Sequence, residues 1–275
     1  GNAGQFEVVR SSWGGIDWYN AVAAAIVAVA LQVATNFAND YSDGVRGTDD
    51  PAARTGPPRL VGSGLATASE VKRAMLVSFG VALAAGAFLV LRVGWELAVV
   101  GILSVAAGYL YTGGPRPYGY EGWGEVFVFV FFGLVATMGS TYVQLDDVTG
   151  LSAGSAVAVG LLATALLVIN NLRDIPGDTR AGKRTLAVRL GDSRTRLVYV
   201  GLLVVPFLIL PFLAVFGDRP SAALAFLAAP TLVSPVTTVA SGSRGPDLVP
   251  ALAATGRVQL VYGALLAVGI VLSAP

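Results

Sequence analysis

An all-α, polytopic transmembrane helical bundle is the fold the sequence predicts, and three observations predict it. Hydrophobic residues make up 55% of the 275 and charged residues only 13%, with a mean hydropathy of +0.70, outside the range of ordinary soluble domains. Apolar stretches recur at about the 20-residue length that a hydrocarbon layer roughly 30 Å thick demands. When the connections between those stretches are alternated between two sides, the basic residues fall almost entirely on one of them.

The stretches divide the chain into eight spans: Trp18 to Ala38, Val71 to Val93, Glu96 to Tyr111, Glu125 to Gln144, Ser152 to Asn170, Leu197 to Phe216, Ser221 to Ala240, and Arg257 to Ala274. The third is short. Pro206, Pro211, Pro230 and Pro235 fall inside spans, where a membrane tolerates proline as a kink. Of the 18 basic residues, all but Arg10, Arg92 and Arg219 lie in or beside the loops after spans one, three, five and seven. The positive-inside rule therefore assigns those loops to the cytoplasm. It also puts the first residue outside, and one further span upstream is expected to precede it; the lack of an initiator Met and of a signal-peptide pattern fits that expectation.

Composition also limits the chemistry. The chain has neither cysteine nor histidine, which removes thiolate nucleophiles, sulfur-ligated metals and the usual general base. Carboxylates, amides, hydroxyls, Lys and Arg remain. A formal net charge of +1 says little, because in a membrane protein the placement of charge matters more than its sum; no nucleic-acid partner is expected.

Two polar clusters follow spans one and five, on the cytoplasmic side. In "NFANDYSDGVRGTDD" (36–50), a continuing helix puts Asn36, Asn39, Asp40 and Asp43 at i, i+3, i+4 and i+7 on one face. In "NNLRDIPGDTRAGKRT" (170–185), Asn170, Asn171, Asp174 and Asp178 do nearly the same, with Pro176 expected to distort the turn between the two acids. The recurrence stops there, because the intervening spans show no repeat. Like charges on one helical face repel unless a cation lies between them. Mg²⁺ answers that need: it takes oxygen ligands and is held by one or two carboxylates together with substrate phosphate oxygens. Lys183, Arg184, Arg173 and Arg46, interleaved with the acids, are placed to neutralise phosphate. Solvated interfacial loops are the bland alternative; they give no reason for Asn and Asp to repeat at helical spacing after two different spans.

A third element, "YLYTGGPRPYGYEGWGE" (109–125), lies on the same side. Tyr111 and Arg116 read as functional, Tyr120 and Trp123 as an interfacial aromatic belt. "GPPRLVGSG" (56–64) reads either as a backbone nest for anions with Arg59 behind it or as a plain loop. Asp146 and Asp147 fall on the opposite face and read as solvated.

The segments "NDYSDGVRGTD" and "NNLRDIPGDTRAGKRTLAVRLG", with "YLYTGGPRPYGYEGWGE" and "RLVGSG" between them, resemble the UbiA superfamily of intramembrane aromatic prenyltransferases. Within it they are similar to the actinobacterial 1,4-dihydroxy-2-naphthoate polyprenyltransferases (the MenA type). The resemblance runs from about Trp18 to the C-terminus. It implies a single transmembrane domain over residues 1–275, with helices around a central cavity; the family has nine, and the first is the one expected to be missing here. It implies Mg²⁺ as cofactor, with Asn36, Asp40, Asp43, Asp174 and Asp178 binding the metal and the diphosphate. Arg46, Arg116 and Lys183 would contact phosphates, and Asn39, Asn171 and Arg173 would support them. Arg59 and Tyr118 would join them on the substrate side.

The implied partners are a polyprenyl diphosphate, a naphthoate and the lipid bilayer. The implied reaction moves the prenyl group onto the naphthoate ring with loss of diphosphate and of the ring carboxyl group. It gives demethylmenaquinone at the cytoplasmic side of the cell membrane. Tyr109, Tyr111, Phe127, Phe131 and Phe132 are available as an aromatic wall. Benzoate, homogentisate or porphyrin-like acceptors are the rivals within the superfamily. An ion-coupled transporter is the rival outside it, but that reading calls for charges near mid-span, and every span centre is free of Asp, Glu, Lys and Arg.

Overall fold

The computed structural model describes residues 15–47 and 58–273. Arg10, Asp49, Asp50, Arg54, the start of the 56–64 stretch and Ala274 lie outside the described residues. The long helices are α1 (Trp18–Arg46), α2 (Ala68–Arg92), α4 (Gly124–Leu145), α5 (Gly150–Arg180), α7 (Asp192–Phe216), α8 (Pro220–Ala240) and α9 (Gly245–Leu272). Between them stand α3 (Glu96–Leu110) and the one-turn α6 (Leu186–Leu190). Among the described residues seven helices are long and apolar enough to cross a membrane, and no strand occurs.

The eight expected spans and these seven differ at the third. With 15 residues, α3 is about 22 Å long at 1.5 Å per residue, short of a full hydrocarbon layer. Its two ends are nevertheless tied to opposite ends of α1. Before it, Arg92 donates to Asn20 Oδ1 at 3.0 Å; after it, Thr112 donates to Asn39 Oδ1 at 2.8 Å.

Hydropathy places the helix ends too early wherever polar residues continue the helix. α1 runs on to Arg46 instead of Ala38, and Gly47 closes it in the left-handed conformation at φ 68°. α5 runs through Pro176 to Arg180. The missing proline N–H costs one backbone bond but does not end the helix, and Thr179 Oγ1 donates back to the Ile175 carbonyl at 2.8 Å. Each Asp-rich segment is thus the last two or three turns of a long helix. That is the geometry the helical spacing of its acids requires.

α5 is the central pillar: 61% of its apolar window is buried, against 22% for α1 and for α2. One face packs Leu162, Val168, Ile169 and Leu172 into a core completed by Tyr199, Leu203, Phe207, Leu210 and Tyr262 from α7 and α9. α7 continues as helix through Pro206 and Pro211, and the Tyr262 hydroxyl donates to the Pro206 carbonyl at 2.8 Å. α8 begins as a tight three-residue-per-turn helix over Pro220–Leu232 and becomes an α-helix at Val233.

At the rim where α1 begins, polar groups lock the bundle. Asn20 Nδ2 donates to the Val143 carbonyl at 2.7 Å, Arg92 pairs with Asp17 at 2.9 Å, and Gln144 exchanges two bonds with the Asp17 backbone. An apolar cavity of about 320 Å³ lies among α1, α2 and α3, lined by Leu31, Ala82, Gly86, Gly101 and Val105. It carries none of the charged residues.

α4 meets α5 at backbone distance. A Cβ on Gly133 would lie 2.4 Å from the Gly160 Cα, and the approach coincides with a widened π-turn over Phe129–Val135. Such π-bulges are frequent next to functional sites. Gly133→Ala is expected to destabilise the protein by about 1–3 kcal/mol, the usual cost of overpacking, seen as a lower melting temperature in detergent. Gly139→Ala on the same helix, with nothing within 4 Å of the new methyl, is expected to leave it unchanged.

Candidate functional site

The ends of α1 and α5 meet at Lys183. Asp43, 4% exposed, accepts from Lys183 Nζ at 3.4 Å and from the Tyr120 hydroxyl. The Lys183 backbone N–H donates to the Asp178 carbonyl at 2.9 Å, and Thr185 Oγ1 lies 3.5 Å from Asp178 Oδ2. Burial alone would lower the Lys183 pKa, but the negative charge of Asp43, with Tyr120 and Asp178, outweighs it and the pKa is raised. The ammonium is therefore fixed in its charged form among the acids of both segments.

Tyr120 sits in this cluster. Its ring lies under Lys183 at 4.5 Å and under the Arg46 guanidinium at 5.6 Å. Its carbonyl accepts from the Arg184 N–H at 2.7 Å, which ties the loop after α5 to the loop after α3. The reading of Tyr120 as an interfacial belt residue is corrected by these contacts. Its function could not be told from Trp123, three residues on, by composition alone; Trp123 is 57% exposed.

The other predicted site residues separate into two groups. Asn39 stands beside Asp43 and accepts from Thr112 at 2.8 Å. Asp174 is half-exposed and accepts from Arg173 Nε and Nη2, at 2.7 and 2.6 Å, while the Arg173 side chain is buried. Asp40 is turned elsewhere: its Oδ2 accepts from the Leu60 N–H at 2.8 Å and its Oδ1 from the Val61 N–H at 2.9 Å. Asn36 is exposed, with its amide donating to the Gln32 carbonyl at 2.9 Å. Arg46 donates to the carbonyls of Thr112 and Gly114, which fixes the start of the 109–125 loop. Arg59 is half-buried at the head of its own turn, and Arg116 is exposed.

Below the charged cluster runs a file of rings. Tyr111 meets Tyr118 edge-on at 5.5 Å, Tyr118 stacks on Phe127 at 3.9 Å, and Phe127 stacks on Phe131 at 6.0 Å. Tyr109 and Phe132, the other expected wall residues, are 39% and 42% exposed and stand outside this file. Burial, reinforced by Glu125 and by Tyr118, pushes the Tyr111 phenol well above its ordinary pKa, and burial does the same for Tyr118. Both remain neutral at physiological pH and offer an uncharged wall. Tyr118 also donates to the Ala107 carbonyl at 2.7 Å.

Glu125 was not singled out from the sequence. It is 6% exposed and accepts from Asn171 Nδ2 at 2.9 Å, joining α4 to α5 beside the Tyr111 ring. Its place at the head of an apolar span is the signal that could have found it, since an acid there must be buried or snorkel.

Among the described residues no group of three or more acids converges on one point. The donor chemistry still fits a hard divalent ion in the company of an anionic ligand: two carboxylates, Asp43 and Asp178, with the Asn39 amide and no nitrogen or sulfur ligand. Seven helices long and apolar enough to cross a membrane, with oxygen donors and an ammonium gathered at one rim beside an aromatic file, define an integral membrane protein.

The chain belongs to the UbiA prenyltransferase family, whose sequence profile matches residues 9–249. It is 48% identical over 245 residues to the 1,4-dihydroxy-2-naphthoate octaprenyltransferase of Mycobacterium tuberculosis, covering 89% of this chain and 82% of that one. It is 40% identical over 260 residues to the protein of the same name from Escherichia coli, covering 92% and 84%. In fold it is similar to a UbiA homolog from Archaeoglobus fulgidus solved bound to DMAPP and Mg²⁺, with a TM-score of 0.60 at 16% identity over 93% of this chain and 89% of that one.

Asn171→Leu leaves the Glu125 carboxyl buried without its amide and is expected to cost about 1–3 kcal/mol. The double variant Glu125→Leu with Asn171→Leu is expected to recover most of that loss, as removal of both partners of a buried pair often does. Thermal melts of the three proteins in detergent measure both steps.

Proposed function

We propose that the protein transfers a polyprenyl group from an allylic diphosphate to 1,4-dihydroxy-2-naphthoate, with loss of the ring carboxyl group, as a step of menaquinone synthesis at the cell membrane. The observation that carries this reading is that Lys183, in the loop just past the second Asp-rich segment, reaches Asp43 at the end of the first, with Tyr120 against both. The 48% identity to a 1,4-dihydroxy-2-naphthoate octaprenyltransferase supports naphthoate as the acceptor. With α3 counted as an eighth crossing, the side that carries the basic loops supports a cytoplasmic site.

Asp43 and Asp178, with the Asn39 amide beside Asp43, would hold Mg²⁺, which when bound would supply electrophilic pull on the diphosphate. The chain's own residues account for the rest. Lys183 offers the phosphate a positive partner: burial alone would lower its pKa, but the negative charge of Asp43 and Asp178 outweighs that and keeps it protonated. Arg116, exposed on the neighbouring loop, is free to swing onto the diphosphate tail.

Breaking the allylic carbon–oxygen bond sends the electron pair to the diphosphate and leaves positive charge on the prenyl carbon. The ring faces of Tyr111, Tyr118, Phe127 and Phe131 stabilise that charge without attacking it, because the phenols stay protonated. The naphthoate carbon bearing the carboxylate forms the new carbon–carbon bond. Carbon dioxide then leaves and its bonding electrons return to the ring. No proton has to be removed from that carbon, which suits a site without histidine. The prenyl tail runs among aliphatic side chains, and the apolar cavity between α1, α2 and α3 is one space open to it.

Purified protein supplied with prenyl diphosphates and a panel of aromatic acceptors tests the reading. Prenylated naphthoate is expected as product, with activity lost on removal of divalent ions. Asp43→Asn is expected to lower turnover by about a hundredfold or more, the scale on which preorganised electrostatic groups act. Asp147→Asn, in the exposed turn at the far rim, is expected to leave turnover unchanged. Full activity of Asp43→Asn, or transfer to benzoates and not to naphthoate, would contradict the proposal.

A further inference from the structure

Glu125 is a buried acid without a counter-charge. It stands in the first turn of α4, at the head of a membrane helix, and is 6% exposed. Among the described residues its carboxyl is met by Asn171 Nδ2 at 2.9 Å and by its own backbone N–H, and by no Lys or Arg. A carboxyl group offers about four acceptor positions, so room for a further donor remains. An ionisable side chain at such a place is costly to keep. Stability alone gives no reason to keep this one, because a pair of leucines in place of Glu125 and Asn171 is expected to serve the bundle nearly as well.

Its position relative to the other acids is set by α5. Asn171, Asp174 and Asp178 fall at i, i+3 and i+7 on one face of that helix. At 1.5 Å per residue, Asn171 and the carboxyl bonded to it lie about 10 Å further into the bundle than Asp178. Tyr111 stands between the two levels. A Cβ on Gly124 would be 3.1 Å from Tyr111 Cε2 and 3.4 Å from its hydroxyl, so the glycine before Glu125 lets the ring close on this corner. The buried phenol feels Glu125 on the inner side and Asp178 and Asp43 on the outer, and Tyr118 meets its ring edge-on at 5.5 Å. Glu125 therefore marks a second polar level, inside the first, with a buried aromatic ring between them.

We propose that Glu125 binds the aromatic acceptor, its carboxyl accepting a hydrogen bond from one ring hydroxyl of the dihydroxynaphthoate while the ring lies beside Tyr111. The inference rests on the proposed prenyl transfer and assigns its acceptor side. The two substrates make opposite demands. A diphosphate needs cations, which the rim supplies; a phenolic hydroxyl needs an acceptor shielded from water, which the inner level supplies. Drawing the hydroxyl proton toward a carboxyl oxygen raises the electron density of the ring and favours its attack on the prenyl carbon. The O–H bond is kept throughout, so no base is consumed. An aromatic acid lacking the hydroxyl leaves the carboxyl unmet and is discriminated against.

Glu125→Gln keeps a carbonyl to accept from Asn171 and replaces the other oxygen by an NH₂ group that cannot accept. It is expected to leave the melting temperature and KM for farnesyl diphosphate unchanged. KM for 1,4-dihydroxy-2-naphthoate is expected to rise about tenfold, the effect of one lost hydrogen bond to a charged group. 1-Hydroxy-2-naphthoate and 4-hydroxy-2-naphthoate, each lacking one hydroxyl, serve as competitive inhibitors. One is expected to bind Glu125→Gln about tenfold more weakly than the unaltered protein and the other equally well, because a residue and a ligand group acting through one contact are not additive. The inference is overturned if KM for the naphthoate is unchanged, if KM rises for both substrates together, or if the two inhibitors respond alike. Should Glu125→Gln fail to fold, the protein carrying Glu125→Leu and Asn171→Leu bears the same comparison. An unaltered protein that makes no prenylated naphthoate from any prenyl diphosphate removes the proposed function; an active one whose Glu125→Gln variant keeps both KM values removes this inference alone.

Discussion

A helix that ends in several carboxylates at the edge of a hydrocarbon layer is repelled by any other helix that does the same, unless positive charge stands between them. The rest of this structure depends on how that repulsion is met. Lys183 reaches Asp43 at 3.4 Å from a loop whose own backbone is bonded to Asp178. Tyr120 lays its ring under the ammonium and gives its hydroxyl to the same Asp43. One cation and one aromatic residue thus join three chain segments that are far apart in sequence.

The bundle is organised to hold this contact in place. α5 is buried along most of its length and carries the second Asp segment at its end. Against it α4 approaches to backbone distance at Gly133 and Gly160, which brings Phe127 and Phe131 under the charged cluster. At the opposite rim Asn20, Arg92, Asp17 and Gln144 tie α1, α2 and α4 together. Hydrocarbon supplies little driving force between helices, so small residues and polar ties at the ends carry more of the association than in a soluble core. The result is a rigid aromatic file below and a polar rim above.

Much of this was legible in the sequence, and the parts that were not share a reason. The spacing of Asn36, Asn39, Asp40 and Asp43 requires a helix that continues past the apolar span, and α1 continues. The charge asymmetry of the loops located the rim, and the Tyr- and Gly-rich 109–125 stretch pointed to the aromatic wall. Hydropathy ended α1 and α5 too early because it scores residues and not hydrogen bonds. What each polar side chain turns toward was hidden. Asp40 and Asp43 look equivalent on a helical wheel, yet one faces two backbone N–H groups and the other a lysine. Tyr120 and Glu125 were passed over for the same reason: burial and partner come from segments more than forty positions away.

The account turns on the divalent-ion site proposed between the ends of α1 and α5. Crystals grown with Mn²⁺ and a non-hydrolysable prenyl thiodiphosphate offer the most direct view of it, because Mn²⁺ scatters anomalously and can be located without reference to the surrounding atoms. An anomalous peak bonded to Asp43 and Asp178, with the thiodiphosphate oxygens beside Lys183, is the predicted result. A peak away from both helix ends, or diphosphate density at the opposite rim near Asp17 and Arg92, would contradict it.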